Sequence, residues 1–315
     1  MATAISIKGL SVKYGSYVAV QNCSFDVEEG EIFGLLGPNG AGKSSIMKII
    51  SGQHRQNSGT VSLYGNDLFF HSLDLRKTIG IVPQEYSFAL DFTVDENLSY
   101  FSKLYGFSGK ELEDRIAWQL SRYLLDNKRS VRASDLSGGY KRLLNFALST
   151  IHSPKLILLD EPTVGLDPDI RSTVWGRIKD LRKDGATIIL TTHYLEEAGY
   201  LCDRLAIIFR GNILAIGTPS DLILQYGGDT KIFIQLSSAA EKVVGDVGKL
   251  KGILTVFAEK NLLMVTCVNT EVVKLISMMY RLLSDREIAV KDSYVKEPTL
   301  DDVFKVVVGM GIGVK

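Results

Sequence analysis

The sequence predicts an α/β protein whose core is a mainly parallel sheet, followed by a small α+β domain. Three observations predict this fold class. Short apolar runs that suit buried strands alternate with segments of helical spacing, a period-two pattern precedes them, and a glycine pair near residue 227 separates a final segment of similar alternation. The length of 315 residues accommodates two domains, because compact domains usually hold about 100–200 residues.

The first elements differ in their periodicity. Ile5 and Ile7 alternate with polar residues, and residues 24–27 do the same, which predicts an N-terminal antiparallel β layer. Residues 32–36 form a continuous apolar run, and residues 44–51 then have helical spacing. A strand, a glycine-rich turn and a helix, in that order, are what a phosphate-binding loop requires.

Residues from about 85 to 140 are mainly helical in pattern, which predicts a helical subdomain inserted into the sheet. Thr93 and Glu96 form a capping-box pattern at the start of one of its helices. Strand–helix alternation then returns, with strands expected at 156–159, 187–191 and 205–209 and a helix from about 170 to 183. Their apolar character predicts central strands of a parallel sheet.

A domain boundary is expected at Gly227-Gly228-Asp229, which gives domains at residues 1–226 and 229–315. The second domain has the order strand, helix, strand, strand, helix, strand, helix, which predicts a ferredoxin-like fold. The strands are expected at 231–236, 253–258, 262–268 and 288–295, and the helices at 239–247, 270–283 and 299–308.

The strongest motif is the glycine-rich turn after residues 32–36. It consists of Gly37, Pro38, Asn39, Gly40, Ala41, Gly42, Lys43, Ser44 and Ser45, and it matches GxxxxGK[ST] at every fixed position. Its backbone N–H groups and the following helix N-terminus suit a phosphate. Lys43 is expected to reach the β- and γ-phosphates of ATP, and the Ser44 hydroxyl to bind Mg²⁺. The alternative is a glycine-rich turn that binds nothing.

Two carboxylates follow the apolar run at 156–159. Asp160 and Glu161 should emerge at the carboxyl edge of the sheet, where ligands bind in such folds. Asp160 suits an outer position on Mg²⁺, and Glu161 suits the polarisation of an attacking water. The alternative is a solvated strand end.

A third strand delivers His193 to the same edge, directly after the apolar run at 187–192. A histidine at such a place is usually structural, but convergence with the phosphate loop and the carboxylates favours a contact with the γ-phosphate.

The segment Leu136-Ser137-Gly138-Gly139-Tyr140-Lys141-Arg142, taken alone, is a common turn before a helix. Together with GPNGAGKSS, LILLDEP, residues 165–168 and His193, in this order, it resembles the ATP-binding cassette (ABC) family of P-loop NTPases over residues 4 to about 225.

The resemblance implies roles for further residues. Tyr14 matches the aromatic residue that stacks on adenine, although its alternative is a half-buried turn tyrosine. Gln84 matches the glutamine that contacts Mg²⁺ and the attacking water. Ser137, Gly138 and Gly139 match the signature that caps the ATP held by a second cassette, and Asp167 matches the aspartate that links the two sites. Tyr140 stands where the family usually has glutamine, so the contact with the partner's ribose is expected to differ.

The segment from Glu297 to Phe304 resembles the tail of cassette subunits that work with multidrug, sodium or antibiotic exporters. Its alternative is an ordinary capped helix, with Thr299 as the N-cap and Asp302 in the first turn.

Partners follow from the resemblance and from composition. No apolar run reaches the length of a membrane span, so we expect a separate transmembrane permease, with this chain peripheral on the cytoplasmic side of the cell membrane. The chain is expected to dimerise with itself or with a second cassette. The 36 basic residues equal the 36 acidic ones, so no nucleic-acid partner is expected.

Two other functions stay open. A soluble ABC ATPase of translation or DNA repair is disfavoured by the single phosphate loop, by the absence of room for a coiled coil between Gly37 and Ser137, and by the charge balance. A module that binds ATP without turnover is disfavoured by Lys43, Asp160, Glu161 and His193.

Overall fold

The computed structural model describes residues 2–69, 75, 77–268 and 272–313, with the side chains of 312 and 313 excepted. The chain divides into two compact units, one ending at Pro219 and the other running from Ser220 to Gly313. This division precedes the Gly227-Gly228 pair. The reason is local, since a Cβ placed on Gly227 would lie 2.8 Å from Pro298 Cβ, so the end of the preceding helix packs within the second unit.

The first unit begins with an antiparallel sheet in the order β2-β1-β4-β5. Its strands are β1 (Thr3–Tyr14), β2 (Tyr17–Glu28), β4 (Ser58–Leu63) and the short β5 (Asn66–Asp67). Period-two burial in β1 places Ile5, Ile7, Leu10 and Val12 in the core. The predicted antiparallel layer is confirmed.

A six-stranded sheet in the order β10-β9-β3-β8-β7-β6 forms the centre of this unit. Its strands are β3 (Ile32–Leu36), β6 (Ile79–Val82), β7 (Leu156–Asp160), β8 (Thr187–Thr192), β9 (Arg204–Phe209) and β10 (Asn212–Gly217). All pairs are parallel except β9–β10, which confirms the mainly parallel sheet. Every residue of β3 and β8 is buried, as expected of central strands. The flanking strands β6 and β10 were not predicted.

Helices lie around and between these strands. They are α1 (Lys43–Ile50), α2 (Val94–Leu104), α3 (Gly109–Arg122), α4 (Gly138–Thr150), α5 (Pro168–Lys183) and α6 (Leu195–Leu201). The helices α2 and α3, with the start of α4, form the predicted helical insert. The capping box at its start is present, because the Thr93 side chain accepts from the Glu96 N–H and the Glu96 side chain accepts from the Thr93 N–H.

The second unit contains α7 (Pro219–Tyr226) and then a four-stranded sheet with helices. Its elements are β11 (Thr230–Leu236), a 3₁₀ turn (Ala240–Val243), α8 (Val244–Val247), β12 (Ile253–Glu259), β13 (Leu262–Cys267), α9 (Val272–Asp285), β14 (Val290–Lys296) and α10 (Leu300–Gly313). The sheet order is β12-β13-β11-β14, with every pair antiparallel. This is the order that the ferredoxin-like arrangement requires.

Two predicted helices differ in detail. The segment expected to be a helix at 239–247 is a 3₁₀ turn followed by a single α-helical turn, since Gly245 and Gly248 lower its helix propensity. The expected start of the next helix, Thr270, lies outside the described residues. None of the helices in the described part of the chain combines the length and the apolar character that crossing a bilayer requires.

Candidate nucleotide site

The loop between β3 and α1 is shaped by its glycines. Gly40 and Gly42 have φ angles of +77° and +110°, in the region that side chains with a Cβ avoid. A Cβ on Gly37 would lie 2.2 Å from Ile208 O, and one on Gly42 would lie 2.5 Å from Ala19 O. No side chain fits at Gly37 or Gly42, and the positive φ angle of Gly42 also disfavours one. These two glycines therefore fix the path of the loop into α1.

Lys43 is held inside the curve of this loop. The side chain is buried, and Nζ donates to Gly37 O at 2.7 Å and to Pro38 O at 3.2 Å. Nζ also lies 3.6 Å from Glu161 Oε1. Burial lowers the pKa of Lys43, and the nearby Glu161 carboxylate opposes that shift. The loop thus encloses a positive charge that its own carbonyl groups partly solvate.

The carboxylates lie beside the loop, at the end of β7. Glu161 has a φ angle of +46°, a strained conformation for a residue with a side chain. Thr191 supports both acidic residues, because its hydroxyl donates to Asp160 Oδ1 at 2.5 Å and accepts from the Glu161 N–H at 3.0 Å. The register of β7 and β8 pairs Asp160 with Thr191. Sequence reasoning missed Thr191, since only this register reveals its partner.

His193 joins the same cluster from the end of β8. Its Nδ1 lies 3.2 Å from Glu161 Oε1, the oxygen that also faces Lys43. The ring packs against Tyr194 with a centroid distance of 4.3 Å. Three side chains that the sequence predicted independently therefore meet at one carboxylate oxygen.

A cavity of about 270 Å³ lies over the loop. Gln84 and Glu161 are among its lining residues, together with Tyr17, Ala19, Asn39, Gly40, Ala41, Gly42, Lys43, Ser44 and Ser45. The predicted residues Gly37, Pro38, Asp160 and His193 are not part of the lining. Gly37 and Pro38 bond to the lining residue Lys43, and His193 contacts the lining residue Glu161. Asp160 precedes Glu161 in the chain.

Two tyrosines lie near this end of the molecule. Tyr14, the predicted adenine contact, is 41% exposed and stacks on His54 with a centroid distance of 5.0 Å. It does not line the cavity. Tyr17 does, and its hydroxyl donates to Gly40 O at 3.4 Å. Sequence reasoning did not single out Tyr17, although it opens the strand whose residue Ala19 touches the loop.

The segment Ser137–Gly139 lies at the start of α4 and does not line the cavity of its own chain. Ser137 is the N-cap residue, and its side chain makes no capping bond. A Cβ on Gly139 would lie 2.8 Å from Ile170 Cγ1. Asp167 caps the same region of α5, because its Oδ1 accepts from the Ile170 N–H at 3.0 Å. Gly139 and Asp167 therefore both lie against Ile170.

Tyr140, the departure from the family pattern, is the next residue along α4. Its ring lies 5.3 Å from Lys128 Nζ, which is within the range of a cation–π contact. The hydroxyl of Tyr86 donates to Gly138 O at 3.4 Å.

Arg142, one turn into α4, ties the strand ends together. It is 4% exposed. Its guanidinium donates to Pro162 O at 2.6 Å and Glu161 O at 2.6 Å on one side, and to Pro83 O at 2.7 Å on the other. Longer bonds reach Asp160 O and Gln84 O at 3.4 and 3.2 Å. Burial lowers the pKa of Arg142.

Two further residues on α4 hold the Gln84 segment. Asn145 Nδ2 donates to Pro83 O at 3.2 Å, and Ser149 Oγ donates to Ile81 O at 2.5 Å. With Arg142, these residues recur at i, i+3 and i+7, so they share one face of the helix. Sequence reasoning missed this polar face, since its acceptors are carbonyls on strands far away in the chain.

The chain is similar to known proteins. The sequence model of the ABC transporter family matches residues 20–164. The linearmycin resistance ATP-binding protein LnrL of Bacillus subtilis (strain 168) is 34% identical over 300 residues, which cover 95% of this chain and 96% of that protein. Nod factor export ATP-binding protein I of Rhizobium sp. (strain N33) is 42% identical over 225 residues, 71% of this chain and 74% of that protein.

Solved structures of ATP-binding cassettes have a similar fold. An ATP-binding cassette determined as a dimer in a post-hydrolysis state with ADP and Pi matches with a TM-score of 0.62 and 25% identity, over 68% of this chain and 98% of that one. The site geometry agrees with these comparisons, since the glycine-rich loop and the cluster at Glu161 suit a nucleotide and one relative matches nearly the whole chain. The chain belongs to the ATP-binding subunits of ABC transporters, the ATPases that bind ATP and couple its hydrolysis to transport.

Proposed function

We propose that ATP binds between the Gly37–Ser45 loop of one chain and the Ser137–Gly139 segment of a second cassette, which is either another copy or a related chain. The observation that carries this proposal is the separation of the two segments, because Ser137–Gly139 do not line the cavity over the loop of their own chain. The Ser137 side chain, at the start of α4, makes no capping bond, so its hydroxyl is available for a phosphate from outside the chain. Closure of two chains head to tail would complete each site.

Lys43 and Ser44 are the residues that we assign to the phosphates. Gly37 and Gly42 let the loop backbone lie directly against the backbone of Ile208 and Ala19. The N–H groups of a glycine-rich loop of this kind suit a phosphate chain. Lys43 Nζ is buried beside the loop carbonyls and would exchange some of these bonds for bonds to the β- and γ-phosphates. We assign the link between the two sites to Asp167, whose Oδ1 accepts from the N–H of Ile170, the residue that lies against Gly139.

Mg²⁺ fits the oxygen donors at this end of the cavity. Ser44 would supply a hydroxyl ligand, while Gln84 and Asp160 would occupy its outer shell. Thr191 already orients Asp160 by a bond of 2.5 Å. When bound, Mg²⁺ would neutralise charge on the β- and γ-phosphate oxygens.

Glu161 is the residue that we assign to the attacking water. Its Oε1 lies within reach of both Lys43 Nζ and His193 Nδ1, at 3.6 and 3.2 Å, so the carboxylate has a fixed orientation. It would accept a hydrogen bond and then a proton from the water that attacks the γ-phosphate, with Gln84 as a second partner of that water. His193 would contact the γ-phosphate itself. A positioned base of this kind contributes about 10²–10⁴ in rate.

Tyr14 is the residue that we assign to adenine. Its ring is 41% exposed, with His54 stacked on it. A base stacked on an aromatic ring gains about 1–3 kcal/mol. Replacement of Tyr14 by alanine should therefore weaken nucleotide binding without changing its dependence on Mg²⁺.

Export through a separate transmembrane permease is the transport function that we propose, with the chain peripheral on the cytoplasmic side of the membrane. Two relatives, a linearmycin resistance ATP-binding protein and a Nod factor export ATP-binding protein, support export. The helical insert next to Gln84 exposes three large apolar side chains, Tyr86, Leu90 and Phe92, at 44, 49 and 44%. This surface is our candidate for the permease contact.

The segment from Glu297 to Phe304 adds little to the export proposal. Thr299 precedes α10, and its carbonyl accepts from the Val303 N–H at 3.1 Å. Asp302, in the first turn, bonds back to it, because the N–H and the hydroxyl of Thr299 both donate to Asp302 Oδ2, at 3.0 and 2.9 Å. Such a helix start is compatible both with an exporter-type tail and with an ordinary capped helix. The relatives' names, and not this segment, support export.

The variant Glu161→Gln tests the proposed mechanism. It keeps the size and the hydrogen-bonding oxygen of the side chain but removes the base. We expect ATP binding to persist, hydrolysis to fall about 100-fold or more, and a stable ATP-bound dimer to accumulate. Single-turnover hydrolysis and sedimentation with Mg·ATP would measure both effects. Hydrolysis at the wild-type rate would show that Glu161 is not the base.

A further inference from the structure

The sheet of the second unit has one face in the core of that unit and one face whose side chains are exposed or half-exposed. Ile232, Ile234, Leu263 and Val265 point into the buried core of this unit, with the other core residues. Their neighbours along each strand point the other way, since side chains alternate in a strand. The pairing registers of the four strands then fix which outward residues lie side by side.

These outward residues form three rows across the sheet, which we call the open face. The middle row runs Phe257, Met264, Phe233, Tyr294, each paired with the next by register. Phe233 and Tyr294 stack with a centroid distance of 4.6 Å and an interplanar angle of 8°. Phe257 and Tyr294, at the two ends, are 58 and 55% exposed. Three aromatic residues and one methionine are the composition of an interface core.

The two flanking rows carry charges of opposite sign. One row runs Thr255, Thr266, Lys231, Lys296, and the other runs Glu259, Leu262, Gln235, Asp292. Within the open face, lysine therefore lies on one side of the aromatic row and carboxylates on the other. Beside the lysine row, Lys231 and Lys296 also line a small cavity with Asp229, Glu297 and Asp302 of the same chain. The two sides are about 14 Å apart, since alternate residues of a strand are spaced by about 7 Å.

We propose that a second copy of this chain docks on the open face, with a two-fold axis parallel to the aromatic row. Such an axis places each middle-row residue opposite its own equivalent and each lysine row opposite the partner's acidic row. Lys296 then faces Asp292 of the partner subunit. A two-fold axis parallel to the strands would instead put Glu259 against Asp292 of the partner subunit, which like-charge repulsion disfavours.

The charges also argue against nucleic acid as the occupant. Stacking aromatic residues can bind bases, but nucleic-acid surfaces need a net positive charge for the phosphates. On the open face, Lys231 and Lys296 are balanced by Glu259 and Asp292. The area is small, since four strands spaced by about 4.8 Å and three rows give about 400 Å² per copy. A standard interface buries about 800 Å² per partner, so we expect a dissociation constant in the micromolar range.

Sedimentation of the full chain without nucleotide tests the proposal, because the cassette dimer of the proposed function requires ATP. We expect a concentration-dependent dimer from about 1 to 100 μM. The double variant Phe257→Ser, Tyr294→Ser should be monomeric over the same range. Val273→Ser is the matched control, since Val273 is 80% exposed on α9, away from the open face, and should leave the dimer unchanged. A wild-type chain that stays monomeric at 100 μM overturns the proposal, and so does a control that dissociates equally.

Two further measurements fix the orientation. Lys296→Glu or Asp292→Lys alone should raise the dissociation constant about 5–10-fold, and the two together should restore it. A bis-maleimide reagent that spans about 10 Å should cross-link Tyr294→Cys to its equivalent in a second copy, because the axis places the two residues opposite each other and packed sheets lie about 10 Å apart. The native cysteines Cys23, Cys202 and Cys267 are buried, so they should not compete for the reagent. Failure of the double charge variant to recover, or the absence of the Tyr294→Cys cross-link, contradicts this axis. Binding of single-stranded RNA by a monomeric wild-type chain, lost in the double serine variant, would assign the face to nucleic acid instead.

Discussion

Two regions of the first unit, the cluster around Glu161 and the segment Ser137–Gly139, differ in how their own chain holds them. The carboxylate of Glu161 contacts Lys43 and His193. Its N–H donates to the Thr191 hydroxyl, and its carbonyl accepts from Arg142. The Ser137 side chain makes no capping bond, and the Gly138 carbonyl accepts a long bond of 3.4 Å from the Tyr86 hydroxyl. The cluster is thus organised within one chain, while the segment presents a helix start that a partner would have to complete.

The difference between these regions carries a general lesson about composite sites. Groups that do chemistry need fixed positions, so the chain supplies their supports itself. Groups that sense a partner can remain unsatisfied in the free chain, because their free energy is gained on association. If this division between supported and unsupported groups is right, substitutions in the two regions should have different consequences.

Mixing two inactive variants provides the sharpest test. Lys43→Met should abolish phosphate binding in its own chain, and Ser137→Arg should block the cap it offers to a partner, each lowering ATPase activity about 100-fold or more. A mixed dimer contains one site with an intact loop and an intact cap. An equal mixture should therefore recover about a quarter of wild-type activity, since about half of the dimers are mixed and each has one of two sites. A steady-state ATPase assay against mixing ratio measures this.

The control for this experiment is a mixture of two variants of the same half. Lys43→Met mixed with Gly42→Ala leaves every loop damaged in both chains, so no activity should return. Recovery in this control, or its absence in the first mixture, would contradict a site shared between two chains.

Arg142 connects the two regions, since it follows Ser137–Gly139 on α4 and holds the backbone of Glu161 and Pro83. Arg142→Lys keeps the charge but cannot reach carbonyls on both sides at once. We expect kcat to fall about 10–100-fold, while the affinity for ATP changes less than about threefold. Lys141→Met, at the adjacent position of α4, is the control and should change neither value. A loss of ATP affinity as large as the loss of kcat would mean that Arg142 acts only through folding.

His152 lies just beyond the far end of α4. There we expect a smaller effect, on the pH dependence of the stability of the fold. Burial lowers its pKa from 6.5 to about 4. Its Nε2 contacts Ile79 O at 3.2 Å, and its ring stacks on Tyr105 at 4.0 Å. The unfolded chain therefore binds a proton below pH 6.5 that the folded chain does not bind until about pH 4. The stability that this group contributes is present above pH 6.5 and is lost as the pH falls towards 4.

Chemical denaturation at pH 7 and pH 5 measures the contribution of His152. The free energy of unfolding of the wild type should fall by about 2 kcal/mol more than that of His152→Gln over this interval. The mutant is compared only with itself across pH, so its own loss of packing cancels. Equal falls in the two proteins would show that the imidazole is not buried in its neutral form.

Much of the candidate site could be predicted because its parts are local. The apolar runs before Gly37, Asp160 and His193 each end in a polar group, and parallel strands bring such ends to one edge. The supporting residues Thr191, Arg142 and Tyr17 could not be predicted. Their partners depend on strand register, or on which carbonyls face α4, and neither leaves a pattern within a short stretch of sequence.

The sequence by itself determined the fold class, the phosphate loop and the order of elements along the second domain, because periodicity and glycine placement are properties of consecutive residues. Only the tertiary structure decided which atoms meet at Glu161, and that the open face carries its charges on opposite sides of an aromatic row. Both depend on registers between strands, and a shift of one residue in any register would send every side chain of that strand to the other face.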